Sequence, residues 1–86
     1  QAGSELGASF PCVLGRKDAD LIINDPMVSK RHAAIQVISG KLLLIDLHST
    51  NGTTLNNTPI TQHELQQGDR IGIGQTVLLV QSVNLV

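Results

Sequence analysis

The chain has 86 residues, a formal net charge of −1 and 15% charged residues. A single domain of this size buries roughly 60–65% of its unfolded surface, and with one Phe, one Met and no Trp or Tyr its core falls to Leu, Ile and Val. Without a basic excess, wholesale binding to nucleic acid or to a membrane surface is disfavoured, and no apolar run is long enough to span a bilayer. Cys12 is the one cysteine, so no intrachain disulfide can form. With no signal-peptide pattern at the N-terminus, a reducing, cytoplasmic setting is expected. The glycosylation sequons beginning at Asn51 and Asn56 then read as chance matches.

In chain order, residues 1–8 are Gly- and Ala-rich, a linker or the remnant of a first strand, and residues 9–86 form the domain. Ser9–Leu14 alternates, with Phe10, Cys12 and Leu14 on one face, and Gly15 ends that strand. Leu21–Ile23 is a short apolar run closed by the turn signal Asn24-Asp25-Pro26. Ala33–Ile38 and Leu42–Leu47 flank Ser39-Gly40-Lys41 as a hairpin. Thr53–Leu55 and Thr58–Ile60 flank Asn56-Asn57 as another, Asn tolerating positive φ. Thr61–Gly68 is polar and holds one loose helical turn at most. Gly68-Asp69 turns into Arg70–Ile73, and Gly74-Gln75 turns into Thr76–Val83. No window sustains a 3.6-residue period with caps, so short strands joined by turns imply a β-sandwich or barrel.

Two polar clusters interrupt the apolar runs. Asp25–His32 offers Ser29, Lys30, Arg31 and His32, and Leu47–Gly52 offers Ser49, Thr50, Asn51 and Gly52. Hydroxyls, amides, free backbone N–H groups and nearby cations are what holds a phosphate. Four of the six basic residues stand in two pairs, Arg16-Lys17 and Lys30-Arg31. Ser29 and His32 lack the oriented acid and the nucleophile-elbow glycines of a hydrolase, so His32 reads as a hydrogen-bonded structural residue. His32, His48 and His63 lack metal-ligand spacing. Gly72 and Gly74 lack the third glycine of a dinucleotide fingerprint. Asp18, Asp20 and Asp25 are expected on loops, partly balancing the neighbouring cations.

The order of these motifs resembles the forkhead-associated (FHA) domain, over Phe10 to Val83. The pieces are Gly15-Arg16 after a strand, Val28-Ser29-Lys30-Arg31-His32, Asp46–Thr53, Leu65–Ile71 and Gly72-Ile73-Gly74. The resemblance implies an all-β, FHA-like sandwich of two antiparallel-rich sheets with binding loops at one end. It implies a non-enzymatic module that binds phosphothreonine in a partner protein, with no cofactor and no metal. Arg16 matches the phosphate-contacting arginine, Ser29 the hydroxyl donor, and Lys30 an adjoining contact. Thr50 and Asn51 match the second loop, Asn51 holding the peptide backbone. Gly15 precedes the arginine, and His32 and Gly52 match loop-shaping positions. Arg31 joins the binding set, with plain solvation an equal alternative. Met27 and the Asn56-Asn57 turn match places where the family reads residues after the phosphothreonine, and an adaptable Met27 suggests weak or apolar preference there. The competing expectation is a phosphate-independent FHA-like scaffold or oligomerisation module, in which an edge strand left by a missing first strand pairs with another copy.

Overall fold

Alternation of apolar side chains at two-residue spacing sets the strands, and their paired rows build the core. The computed structural model describes residues 11–81. One sheet carries β1 (Cys12–Gly15), β2 (Leu21–Ile22), β3 (Ala33–Ile38), β4 (Lys41–Asp46) and β7 (Gln62–Glu64), in the order β2-β1-β3-β4-β7. The other carries β5 (Thr53–Leu55), β6 (Thr58–Ile60), β8 (Arg70–Ile73) and β9 (Thr76–Leu79), in the order β6-β5-β8-β9. Of the paired strands, β1 and β2 run parallel and the others antiparallel. The all-β sandwich expected from the sequence is therefore the fold. No helix among the described residues is long and apolar enough to cross a membrane.

Register explains which side chains are inside. Cys12, Ile35 and Leu44 stand opposite one another across three strands of the first sheet. Leu55, Ile71 and Leu78 do the same in the second. Leu14, Ile35, Leu44, Ile71 and Ile73 are fully buried between the sheets. Each such side chain contributes about 1.5–3 kcal/mol relative to exposure. Among the described residues this core is aliphatic apart from Cys12.

The turns follow their residues. Ser39 and Gly40 both take positive φ (53° and 75°), as do Asn56 and Asn57 (51° and 69°), the pattern of type I′ hairpin turns. The Ser39-Gly40 turn starts β4 at Lys41, one residue before the sequence expectation. Two further differences have physical causes. Thr61–Gly68 holds no helical turn but contains β7, whose residues pair with Leu43, Leu44 and Ile45. An edge strand exposed to water needs no apolar face, so backbone pairing prevails over a polar sequence. Gly15 is the last residue of β1, as expected, whereas β9 stops at Leu79. Val80 then donates its N–H to the Asp69 carbonyl outside the ladder. Ser9, Phe10, residues 1–8 and the Ser82–Val83 end of the expected last strand lie outside the described residues, and with them the edge that a missing first strand would leave.

Candidate functional site

Three loops leave the same end of the sandwich. They follow β1 (residues 16–20), join β2 to β3 (residues 23–32) and join β4 to β5 (residues 47–52). The register that pairs Ala33 with Asp46 and Thr53 with Ile73 puts their bases side by side, and the Gly74–Gln75 turn lies at that end too. The loops are then tied to each other by specific bonds.

His32 is the knot. It is fully buried, and its four polar groups tie together β1, its own loop and both ends of the β4–β5 loop. Its N–H donates to the Leu14 carbonyl at 2.8 Å, and its carbonyl accepts from the Leu47 N–H at 2.9 Å. Nδ1 accepts the Ser29 N–H at 3.0 Å. That bond assigns the proton to Nε2, which donates to the Gly52 carbonyl at 2.8 Å. With both ring nitrogens committed to backbone, the imidazole cannot serve as base for the Ser29 hydroxyl.

Ser29 is half-buried beside it. Its Oγ accepts the Thr50 N–H at 3.0 Å, so the hydroxyl proton remains available to donate outward. Its carbonyl accepts the Arg16 N–H at 3.0 Å. The Arg16 side chain folds over the same loop, Nε donating to the Val28 carbonyl at 3.0 Å. That uses one of the five guanidinium donors and fixes the plane that carries the other four. Gly15 permits this closeness, because a Cβ there would stand 1.9 Å from the Lys30 carbonyl oxygen, a backbone atom that cannot step aside. Asn51 closes the ring of loops, its Nδ2 donating to the Met27 carbonyl at 2.9 Å. Gly52 takes φ 84°, a conformation that favours glycine.

Arg16, Ser29, Thr50 and Asn51 are thus brought together, with Gly15, His32 and Gly52 beneath them. Lys30 and Arg31 are exposed, and Arg31 reaches across to the Asp18 carbonyl at 3.0 Å, away from Ser29. The Asn56-Asn57 turn, expected to help read the ligand, is not part of the cluster. It closes the β5–β6 hairpin at the opposite end of β5, bonded to Asp69 and to the Arg70 N–H. Beside that turn lies a groove of about 420 Å³ lined in part by Asn56, His63, Glu64 and Asp69.

Two carboxylates that sequence reasoning left aside hold the loops in place. Asp25 was expected to balance surface cations, but it is buried. Its Oδ1 accepts the Met27 N–H at 2.8 Å; Oδ2 accepts the Gln75 N–H at 2.8 Å and the Thr76 hydroxyl at 2.9 Å. It therefore bolts the β2–β3 loop to the second sheet, and the Met27 N–H leads the bonds that hold its carboxyl below the usual Asp value. Asp46 Oδ1 accepts both the Ser49 hydroxyl at 2.5 Å and the Thr53 hydroxyl at 2.6 Å, and Oδ2 accepts the Ser49 N–H at 3.2 Å. Burial pushes the Asp46 carboxyl up, but those bonds outweigh it and hold the carboxyl below its usual value. The sequence signal was local: an Asp followed two or three residues later by a residue whose N–H it caps.

A carboxyl lowered in the folded state contributes stability that is present above the unfolded value, about pH 4, and is lost as pH falls through the lower folded value. Asp46→Asn is therefore expected to lower the thermal midpoint at pH 7, with the gap to wild type closing as the pH is brought down to about 3. Melting curves across that range check it, and a gap that stays constant would remove the charge of Asp46 from the account.

A β-sandwich whose loops converge hydrogen-bond donors at one end has the architecture of a recognition module. The chain belongs to the FHA domain family, whose model matches residues 12–74, and that family is one of recognition modules. Over 70 residues the chain is 41% identical to FHA domain-containing protein FhaA of Mycobacterium tuberculosis, covering 80% of this chain and 13% of that protein. A structure from a structural and functional analysis of phosphothreonine-dependent FHA domain interactions superposes with a TM-score of 0.79 at 37% identity, covering 99% of this chain and 82% of that one. The FhaA FHA domain complexed with the intracellular domain of Rv3910 gives 0.70 at 39% identity, with 87% and 76% covered. The chain spans well under half the length of the curated relatives it matches.

Proposed function

We propose that this domain binds a phosphothreonine-containing segment of a partner protein, without catalysis, through the loop cluster of Arg16, Ser29, Lys30, Thr50 and Asn51, residues 9–86 being the folding unit. One observation carries the proposal: the Ser29 hydroxyl is held by Thr50 with its proton free, next to a guanidinium fixed through Nε. A phosphothreonine presents roughly −1.5 to −2 charges and three acceptor oxygens. Arg16 supplies paired donors, Ser29 a third, and Lys30 with the Thr50 side chain closes the rim. Asn51, anchored on Met27, has an amide proton and its carbonyl to offer the peptide backbone. Charge-assisted bonds contribute about 1.5–3 kcal/mol each. Three or four offset the ordering of a flexible peptide and leave an affinity near micromolar, about −8 kcal/mol. The buried single Cys12 and the absence of a basic excess fit a reducing compartment and a protein partner.

A degenerate peptide library prepared with phosphothreonine, phosphoserine and unmodified threonine tests this. Only the phosphothreonine set is expected to be retained strongly, with affinity falling below about pH 6 as the phosphate takes its second proton. Equal retention of the unmodified set would favour the phosphate-independent scaffold. Unchanged affinity at pH 5 would count against recognition of a dianion.

A further inference from the structure

The loop after β1 and the end of the β2–β3 loop run side by side in the same direction. The Arg16 N–H meets the Ser29 carbonyl at 3.0 Å and the Lys17 N–H meets the Lys30 carbonyl at 3.2 Å. This pairing ranks the cations in a row: Arg16 beside Ser29, Lys17 beside Lys30, then Arg31 at the Asp18 carbonyl, 3.0 Å away. All four are exposed. The guanidinium bonds of Arg16 and Arg31 go to carbonyl oxygens, which orient the charges without cancelling them. The nearby Asp20 carboxylate is turned to the Val13 N–H at 2.8 Å. On the other flank of Ser29 stands Met27, apolar and 44% exposed.

A single phosphate bound at Arg16 and Ser29, with Lys30 at its rim, leaves Lys17 and Arg31 at the far end of this row unused. We propose that Lys17 and Arg31 form a second anion subsite next to the phosphothreonine pocket, resting on the phosphothreonine reading above. It takes an anionic group carried by the same peptide on one side of the phosphothreonine, an acidic side chain or a second phosphate. The Met27 flank takes uncharged or apolar residues. The domain thus distinguishes the two directions along its ligand by charge.

Binding titrations with three peptide designs test this. The first has phosphothreonine in an uncharged Gln/Gly background; the second adds two Asp residues either before or after it; the third replaces those Asp residues by a second phosphothreonine. At about 50 mM salt, acid on one side only is expected to tighten binding roughly three- to tenfold, as a few exposed ion pairs allow. The gain shrinks toward unity at about 500 mM salt. A larger gain from the second phosphate identifies phosphate as the preferred source, and an equal or smaller gain identifies the carboxylate. Lys17→Glu is expected to abolish the gain and leave the uncharged-background peptide within about twofold of wild type, since Lys17 stands outside the phosphothreonine cluster. No gain on either side, equal gain on both, or a gain that survives Lys17→Glu overturns the subsite while the phosphothreonine reading stands. Failure of the uncharged-background phosphopeptide to bind overturns that reading and the subsite with it.

Discussion

Arg16→Ala is expected to weaken phosphopeptide binding by roughly thirty- to several-hundred-fold, the equivalent of about 2–4 kcal/mol for two charge-assisted hydrogen bonds. Ser29→Ala is expected to cost about 1.5–3 kcal/mol, by removing the donor to the phosphate and the acceptor that the Thr50 N–H now uses. Arg16→Lys separates charge from geometry. It keeps the cation but loses both the planar fork and the Nε–Val28 bond that aims it, so affinity is expected nearer to Ala than to wild type. Because Arg16 is exposed, the thermal midpoint is expected to move only a few degrees, in line with loss of one hydrogen bond worth about 1 kcal/mol. Titration calorimetry of the three variants against one phosphothreonine peptide, with melting curves alongside, reads both quantities. If Arg16→Ala and Ser29→Ala bind like wild type while remaining folded, the pocket is not where the loops converge.

Much of this architecture was legible because local chemistry and tertiary demand agreed. Asn56-Asn57 and Ser39-Gly40 sit in turns that need two positive φ angles, and the apolar runs beside them alternate as half-buried strands should. The motif residues around Arg16, Ser29 and Asn51 were legible as a set, though nothing in their spacing shows that the Ser29 hydroxyl accepts from Thr50, 21 residues away. What escaped was set by partners distant in sequence. Gln62–Glu64 reads as a polar connection until β4 offers it a free edge. Asp25 reads as a surface acid because its partners Gln75 and Thr76 lie 50 and 51 residues on. Gly15 reads as a strand end, which it is, but nothing local shows that its lack of a Cβ lets the Lys30 carbonyl approach.

His32→Ala is expected to be the most damaging single change, and its effect should be twofold. Removing the ring leaves the Ser29 N–H and the Gly52 carbonyl without partners, at about 1–3 kcal/mol each, and opens a cavity in a fully buried site. A loss on the order of 4 kcal/mol is a large share of the 5–15 kcal/mol typical of a small domain, and a fall in thermal midpoint of roughly 20 °C follows. Loss of stability alone would not implicate the site, so Leu44→Ala is the control. Leu44 is equally buried, its truncation costs about 2–5 kcal/mol, and it touches none of the loop-to-loop bonds described above. At about 10 °C, where both variants are expected to remain folded, Leu44→Ala should bind phosphopeptide within a few-fold of wild type. His32→Ala should bind far more weakly, because Ser29 and Gly52 no longer share an anchor and the two loops that hold the phosphate drift apart. Equal affinities in the two variants would reduce His32 to ordinary core packing, and the loop cluster would then owe its geometry to the Asp25 and Asp46 carboxylates and to the Ser29–Thr50 and Asn51–Met27 bonds.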